Sequence, residues 1–394
     1  MPLPNPVIFV PGVTATNLRD LYALPPDLVW SLLTHDYERV GLHPEDTRYE
    51  AQQPAQIRPD QIFEIAYNEM VLDLRHDLSP HGDQRVPVYV FGYDWRQPLE
   101  VAQAALAAFI AEVIEKTALT RHYFADGYGA RRKVNLVGHS MGGLVIAGYL
   151  ADAGANARVE RVATIATPFK GSFDAVEKIV KGTTNRRERE AARLTPSLYY
   201  LLPSFTRGVT VDPQLPHTDM FDPRLWQSSV VETIRESLRL RGSGAQAPTQ
   251  ANAERVLADL LAQAKAHRAK VDGLQLAACG LQPKDWLCVI GIGDKTRVEL
   301  RIDDSPAGPI FDLLSPGMIS GDKIPARPAW RTGDGTVPWE GAQPSFATAP
   351  PQVVSRKDFR LLELREKLLD GATALHGILP NMDKIQSILV NHLA

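Results

Sequence analysis

The segment that most constrains the fold joins a short apolar run to a helical stretch through a glycine-rich turn. Val134 to Val137 has the length and composition of a buried strand. Gly138 to Gly142 has the spacing G-x-S-x-G, and apolar residues at helical spacing follow from Leu144. A serine in such a strand–turn–helix segment stands on a sharp turn with its hydroxyl exposed. We therefore predict that Ser140 is a nucleophile rather than a solvated serine in an ordinary β-turn.

Strand-like and helical stretches alternate along the first part of the chain. Further apolar, strand-like runs occupy residues 7–10, 86–91, 159–165 and 286–293, and residues 98–116 have helical spacing. Continuously apolar strands separated by helices are typical of a parallel sheet covered on both faces. We predict an α/β fold with a mostly parallel sheet. Ligands of such sheets bind at the carboxyl ends of the strands, where Val13, Asp94, Ser140 and Thr167 should gather.

Residues 173–270 interrupt this alternation with helical stretches and an apolar segment, Leu198 to Leu202. We predict a helical cap or lid over the site, with Leu198 to Leu202 and Trp226 on its underside. The same side chains can instead simply pack the cap against the core. The predicted division is a first core part (1–172), a cap insertion (173–270) and a second core part (271–394).

Two regions allow only local predictions. Residues 20–80 show little order beyond a helix or a pair of strands at 67–78. After residue 293 the sequence indicates a hairpin at 296–302, a tight acidic turn at 333–338 and helices at 357–369 and 381–393.

The composition is that of a globular protein with room for a large core. The chain has 394 residues, of which 44% are hydrophobic and 23% charged, and a net charge of −3 gives no argument for nucleic acid. No apolar run reaches the roughly 18–20 residues of a membrane span, and no signal peptide is visible. The expected location is therefore the cytoplasm, or export without a visible signal. Cys279 and Cys288 are expected to be buried thiols, and neither a metal nor a cofactor is predicted.

A serine nucleophile needs a base, and histidine is the side chain best matched to neutral pH. In hydrolases of the α/β type the order along the chain is serine, acid, histidine. The histidines that follow the nucleophile are His217, His267, His376 and His392. The first two fall inside the predicted cap and the last is almost at the chain end, so His376 is the preferred base. His139 should point away from the site and pack.

Two carboxylates compete for the role of the acid that orients the base. Asp334 lies between glycines in a turn, and Asp294 follows the strand at 286–293. Either can instead cap backbone N–H groups, so the residues alone leave the choice open. The oxyanion would be held by the backbone N–H groups of Met141 and Val13.

Asp94, Trp95 and Arg96 follow another predicted strand. They can line a pocket, or Asp94 and Arg96 can form a structural ion pair in a turn. The second interpretation is favoured.

The chain resembles the lecithin:cholesterol acyltransferase family, which includes phospholipid:diacylglycerol acyltransferases and the lysosomal phospholipase A2. Five blocks in the family's order carry the resemblance: Val7–Gly12, Tyr93–Arg96, Gly138–Gly143, Ser197–Pro203 and Gly333–Pro338. The resemblance implies an α/β-hydrolase fold with a cap and lid. It also implies a triad of Ser140, Asp334 and His376, which prefers Asp334 over Asp294, and an oxyanion donor at Val13.

The family's chemistry is acyl transfer from a glycerophospholipid to water or to a lipid alcohol. We therefore expect a serine-dependent acyl hydrolase or acyltransferase that acts on acyl lipids and contacts membrane surfaces transiently. Asp94, Trp95, Leu198 and Tyr199 are the predicted substrate-binding residues. The alternatives are an esterase, amidase or thioesterase for a soluble substrate, and a non-catalytic binding protein. The sequence does not indicate an oligomeric state.

Overall fold

The structure is a computed structural model, and it describes residues 2–37, 40, 56–182, 186–205, 208–213, 215, 219–241, 248–306, 308–314, 318–319, 332–359 and 375–394. The strands are β1 (Val7–Val10), β2 (Thr16–Asp20), β3 (Asp27–Trp30), β4 (Ile57–Ile62), β5 (Val88–Val90), β6 (Val134–His139), β7 (Val159–Ile165), β8 (Val209–Val211), β9 (Trp286–Ile292), β10 (Thr296–Arg297), β11 (Leu300–Asp303), β12 (Ile310–Asp312), β13 (Met318–Ile319) and β14 (Gln352–Ser355). The helices are α1 (Glu64–Asp77), α2 (Leu99–Ala118), α3 (Arg121–Ala125), α4 (Tyr128–Arg131), α5 (Met141–Ala153), α6 (Phe173–Val180), α7 (Arg186–Arg193), α8 (Pro196–Tyr199), α9 (Ser228–Arg241), α10 (Gln250–Asp272), α11 (Leu375–Ile378) and α12 (Asp383–Leu393).

A six-stranded parallel sheet forms the centre of the molecule, in the order β14-β9-β7-β6-β1-β5. Val10, the last residue of β1, lies opposite Gly138 of β6, and His139 lies opposite Ile165 of β7. The carboxyl ends of these three neighbouring strands therefore meet at one rim. The predicted α/β class and parallel sheet are confirmed.

Helices cover both faces of this sheet because alternate strand residues point to opposite sides. Ile8 and Val10 belong to the apolar cluster that includes α2 and α5, whereas Val7 and Phe9 belong to the cluster that includes α1 and α12. All four side chains are fully buried. The rim that carries the serine is thus held between two packed layers.

The segment predicted to form a cap, 173–270, includes helices α6 to α9 and most of α10. Their apolar side chains do not form a core of their own, since Leu198 and Leu261 share one buried cluster with Leu144 of α5. Arg268 of α10 donates to the carbonyl oxygens of Tyr200 (2.8 Å) and Leu202 (3.2 Å) and so fixes the segment after α8. The boundaries 1–172, 173–270 and 271–394 stay a prediction.

The predicted hairpin at 296–302 is wrong. Strand β10 pairs with β13, while β11 pairs with β12 and, in parallel, with β8 from the predicted cap. The two residues between β10 and β11 are Val298, which is buried, and Glu299, and neither suits the left-handed backbone of a tight hairpin turn. The strands therefore diverge and find separate partners.

Three other local predictions have definite outcomes. The stretch predicted as a helix or two strands at 67–78 is helix α1, which begins at Glu64, and it follows an antiparallel sheet of β3, β2 and β4. The terminal helix begins at Asp383. At 356–358 the chain makes a single 3₁₀ turn, and the rest of the helix predicted at 357–369 lies outside the described residues from 360 onward.

Candidate active site

Ser140 stands on a strained backbone between β6 and α5. Its φ is 52° and its ψ is −128°, in a region that side-chain-bearing residues rarely adopt. The main chain is held there because the N–H of Ser140 donates to the carbonyl of Ile165 (2.9 Å). Gly142 is required for this turn, since a Cβ at that position would lie 2.2 Å from the carbonyl oxygen of Val10. Local packing therefore forces the serine hydroxyl outward at the rim of the sheet.

The side chain of His376 lies between Ser140 and Asp334. Its Nε2 is 3.0 Å from Ser140 Oγ, and its Nδ1 is 2.8 Å from Asp334 Oδ2. The backbone N–H of His376 also donates to the carbonyl oxygen of Asp334 (3.0 Å). Because a carboxylate can only accept, Nδ1 carries the proton and Nε2 is free to accept the serine proton. The three residues that the sequence analysis selected are thus brought into hydrogen-bonding contact.

Asp334 is held rigidly behind the imidazole. Its Oδ1 accepts from the backbone N–H groups of Thr336 (3.0 Å) and Val337 (2.7 Å), and the residue is 1% exposed. Gly335 has a φ of 95°, which the tight turn requires. One carboxylate oxygen therefore fixes the turn while the other faces His376.

The rival acid, Asp294, has a different position. Its carboxylate forms a bidentate pair with Arg356 (2.5 and 2.7 Å) and accepts the backbone N–H of Leu375 (3.0 Å). It thus anchors the residue next to His376 without contacting the imidazole at hydrogen-bonding distance. Of the two carboxylates, that of Asp334 is the one within hydrogen-bonding distance of the His376 ring.

The other candidate histidines lie elsewhere. His267 contacts Gln103 between α10 and α2, and His392 lies within hydrogen-bonding distance of the carbonyl oxygen of Val162. His217 lies outside the described residues.

The predicted oxyanion donors belong to residues close to Ser140. Met141 is the first residue of α5, so its N–H has no acceptor within the helix and adds to the positive end of the helix dipole. Val13 lines the cavity next to Ser140. The preceding Gly12 packs so closely that a Cβ there would lie 3.0 Å from the Cβ of Ser140. Val13 and Met141 thus lie near the serine, and their role as donors stays a prediction.

Beneath the serine lies a buried hydrogen-bond chain that the sequence analysis missed. The N–H of Gly12 donates to Tyr67 Oη (3.3 Å), Tyr67 Oη is 2.8 Å from His139 Nδ1, and His139 Nε2 is 3.0 Å from the carbonyl oxygen of His376. The prediction that His139 points away from the site is wrong, because its ring lines the same cavity as Ser140 and lies close to the ring of His376. Tyr67 fell in a stretch for which the sequence predicted only a helix or a pair of strands. The available signal for this hydrogen-bond chain was the polar side chain of His139, directly before the nucleophile in the sequence.

A cavity of about 670 Å³ opens in front of Ser140. Much of its wall is apolar and includes Phe63, Ile65 and Leu201, and the ion pair of Asp174 and Lys178 (2.9 Å) adds a polar patch. Two apolar residues of the wall are also exposed to solvent: Leu33 is 73% exposed and Ile65 is 54% exposed. The mouth of the cavity thus has an apolar rim.

The predicted substrate-binding residues are not gathered at this cavity. Asp94 pairs with the fully buried Arg96 (2.8 Å), which agrees with the structural ion pair favoured from the sequence. Trp95 and Leu198 line a neighbouring cavity of about 200 Å³, and the hydroxyl of Tyr199 donates to the carbonyl of Arg193 (2.8 Å). Neither Asp94 nor Tyr199 lines either of these two cavities.

Cys279 and Cys288 are both buried with free thiols, and burial raises the pKa of Cys288 to about 12. Among the described side chains, no three of the types His, Cys, Asp and Glu gather into a possible metal site. Within the same part of the chain, no helix combines the length and the apolar character needed to cross a bilayer.

Comparison with known proteins places the chain in a family. The α/β-hydrolase fold family model matches residues 119–356, and the chain therefore belongs to the α/β-hydrolase fold family. This membership supports a hydrolase activity in general. A search of curated proteins with the sequence finds no match.

One solved structure is similar over the whole chain. The crystal structure of the Tle4–Tli4 complex contains a chain that matches with a TM-score of 0.66 and 16% identity, over 100% of this chain and 98% of that one. The mature form of Bacillus licheniformis lipase BlEst2 matches with a TM-score of 0.29 and 18% identity, over 51% of this chain and 56% of that one. The first likeness supports the same fold.

Proposed function

We propose that the protein is a serine hydrolase or acyltransferase of acyl lipids. Ser140 Oγ attacks the ester carbonyl while His376 Nε2 takes its proton, and Asp334 keeps the imidazole in the required tautomer. The N–H groups of Val13 and Met141 stabilise the oxyanion. The protonated His376 then gives its proton to the departing alcohol, and an acyl-serine is left. Water or another alcohol, activated by the same imidazole, releases the acyl group.

The observation that carries this proposal is the 3.0 Å separation of Ser140 Oγ and His376 Nε2, with the buried carboxylate of Asp334 behind the ring. An acyl-lipid substrate is supported by the apolar wall and rim of the cavity. The resemblance of five sequence blocks to the lecithin:cholesterol acyltransferase family is the support for the finer assignment to phospholipase A or O-acyltransferase chemistry. The ion pair of Asp174 and Lys178 in the wall favours a lipid with a polar headgroup over a triacylglycerol.

A fluorophosphonate probe tests the chemistry independently of the substrate. We expect complete labelling of the wild type and none of Ser140→Ala. Absence of labelling in the folded wild type would instead favour a non-catalytic binding protein on the same fold.

Turnover tests the substrate class. Phosphatidylcholine vesicles, with and without an added long-chain alcohol, should be better substrates than short water-soluble esters. Faster turnover of the short esters would favour the soluble-substrate alternative, and acyl esters of the added alcohol would indicate acyl transfer.

We further propose that the rim of the cavity rests on the membrane surface during turnover. Burying a Leu or Ile side chain in lipid contributes about 1.5–3 kcal/mol, so Leu33→Asn and Ile65→Asn should each weaken vesicle binding about tenfold or more. Leu119 is 85% exposed and lines neither cavity, which makes Leu119→Asn the matched control. Equal loss of vesicle binding in all three variants would contradict a contact specific to the rim.

A further inference from the structure

The strongest feature that the triad leaves unused is the buried chain of hydrogen bonds beneath Ser140. Tyr67 and His139 are 2% and 3% exposed, and they come from different elements, α1 and the end of β6. Through them, the loop that carries one proposed oxyanion donor is linked to the backbone of the proposed base. The chain of contacts runs Gly12, Tyr67, His139, His376.

The chemistry of its ends fixes the direction of each hydrogen bond. The carbonyl oxygen of His376 can only accept, so Nε2 of His139 carries a proton and donates. Nδ1 of the neutral ring then accepts from the hydroxyl of Tyr67, whose oxygen in turn accepts from the N–H of Gly12. A protonated His139 would have a second donor at Nδ1, and the hydroxyl proton of Tyr67 would lose its acceptor.

The surroundings keep His139 in the neutral form that this chain needs. Burial, with a smaller contribution from the nearby ring of His376, holds the pKa of His139 well below its usual value of 6.5. The two imidazole rings lie 4.9 Å apart, centroid to centroid. Burial also raises the pKa of Tyr67, so its hydroxyl stays protonated and can donate.

We infer that Tyr67 and His139 are positioning residues that hold the oxyanion donor and the general base in one fixed relation to Ser140. Gly12 precedes Val13, whose N–H is the proposed donor, and His139 precedes Ser140 itself. A shift of His376 would therefore be resisted by the same hydrogen bonds that hold the oxyanion loop. This inference rests on the proposed function, since it assigns roles only if Ser140 and His376 react.

Tyr67→Phe is the first test, because it removes the hydroxyl and keeps the ring that packs on Phe9 at a centroid distance of 4.8 Å. The matched control is Tyr123→Phe. Tyr123 is also buried and its hydroxyl also donates a hydrogen bond, here to the backbone carbonyl of Pro4 (2.8 Å), but it lines neither cavity. Both variants lose one buried hydroxyl, and only one of them loses it from the chain beneath the serine.

The readout is the second-order rate of fluorophosphonate labelling, measured together with the final labelled fraction. Misplacing a reacting group by about 1 Å can cost about a hundredfold, so Tyr67→Phe should label about ten to a hundred times more slowly while still labelling completely. With a short ester, kcat should fall by a similar factor and KM should change little. Tyr123→Phe should label at the wild-type rate.

His139 gives a second, independent comparison. His139→Leu removes both hydrogen bonds and should slow labelling about a hundredfold. His139→Gln keeps a donor toward His376 and should recover part of that loss. Adding Tyr67→Phe to His139→Leu should have little further effect, because both changes break the same chain.

Two results would overturn the inference. One is labelling of Tyr67→Phe at the rate of Tyr123→Phe; the other is a reduced labelled fraction in Tyr67→Phe with an unchanged rate per active site, which is the mark of a purely structural role. If His139→Leu does not fold, the two tyrosine variants decide. Failure of the wild type to label would contradict the proposed function, and is thereby distinguished from failure of this inference.

Discussion

Two histidines downstream of the nucleophile, the partly buried His376 at the rim of the sheet and the buried His267 in the seam between α10 and α2, differ in what faces their ring nitrogens. His376 has the carboxylate of Asp334 at Nδ1 and the hydroxyl of Ser140 at Nε2. At His267, Nε2 accepts the amide N–H of Gln103 at 2.6 Å. Both histidines follow the serine in the chain, so both are possible general bases by position. His376 differs from His267 because it has a carboxylate on one side of its ring and a cavity on the other.

The surroundings of His267 also determine its protonation state. Burial, together with the charges of Lys270 and Arg268, lowers the pKa of His267 to about 3, so this ring stays neutral at any ordinary pH. A base that must accept a proton during each turnover cannot work in such a place. The seam thus uses its histidine as a neutral acceptor, whereas at the rim a carboxylate lies on one side of the imidazole and a serine hydroxyl on the other.

The largest effect expected from this comparison is on catalysis. His376→Gln removes the proposed base, and loss of a triad histidine lowers kcat by about a millionfold in a well-studied serine protease. His267→Gln keeps an acceptor for Gln103 and should turn over a short ester near the wild-type rate. The measurement is kcat/KM for both variants, with melting curves to show that both are folded. A comparable loss in the two would remove the distinction between rim and seam.

The two aspartates near His376 give the next largest effect. Asp334→Asn should lower kcat about ten-thousandfold, because an amide permits the wrong imidazole tautomer. Asp294→Asn should act mainly on folding, at a cost of about 1–3 kcal/mol, since the guanidinium of Arg356 would lose its carboxylate. Steady-state kinetics and urea unfolding of both variants separate the roles. The assignment would be reversed if Asp294→Asn lost turnover and Asp334→Asn kept it.

The parts of this site that follow from local pattern could be predicted from the sequence. Strand–turn–helix spacing around Ser140 and the serine–acid–histidine order selected Ser140 and His376, which meet at the rim, and continuous apolar strands indicated the parallel sheet. Asp294 and Asp334 have the same local signature of a carboxylate at a turn. The family resemblance preferred Asp334, and in the structure the two differ in their tertiary partners, Arg356 for Asp294 and His376 for Asp334.

What could not be predicted depends on contacts between distant segments. Tyr67 lies within hydrogen-bonding distance of His139, 72 residues away in the sequence, and β8 pairs with β11, which is also distant in the sequence. Tyr199 was selected for substrate binding because of an apolar run. Its burial, 0% exposed, shows that such a run equally serves packing, which is the alternative the sequence analysis had left open.

A smaller effect on the rim comes from two glycines that both line the cavity. A Cβ at position 12 would lie 3.0 Å from the Cβ of Ser140, whereas a Cβ at position 377 has nothing within 4 Å. Gly12→Ala should displace the side chain of Ser140. It should therefore lower kcat/KM about tenfold to a hundredfold, in keeping with the cost of misplacing a reacting group. Gly377→Ala should leave it unchanged. A short-ester assay of the two variants checks this, and a larger loss in Gly377→Ala would contradict the close approach of the loop to the serine.

The smallest effect concerns the seam and appears in stability rather than in rate. Below pH 6.5 the unfolded chain protonates His267, but the folded protein does so only near pH 3, so the free energy of unfolding falls as the pH falls through this window. His267 alone should remove about 2 kcal/mol between pH 7 and pH 5. His267→Gln should lose correspondingly less stability over that range, since glutamine accepts from Gln103 without titrating. Urea unfolding at the two pH values measures the difference, with His76→Gln, a side chain 88% exposed, as the control. If the free energy of unfolding of the wild type and of His267→Gln had the same pH dependence, burial would not hold His267 neutral. His267 and His376 would then be distinguished only by the effect of their substitution on turnover.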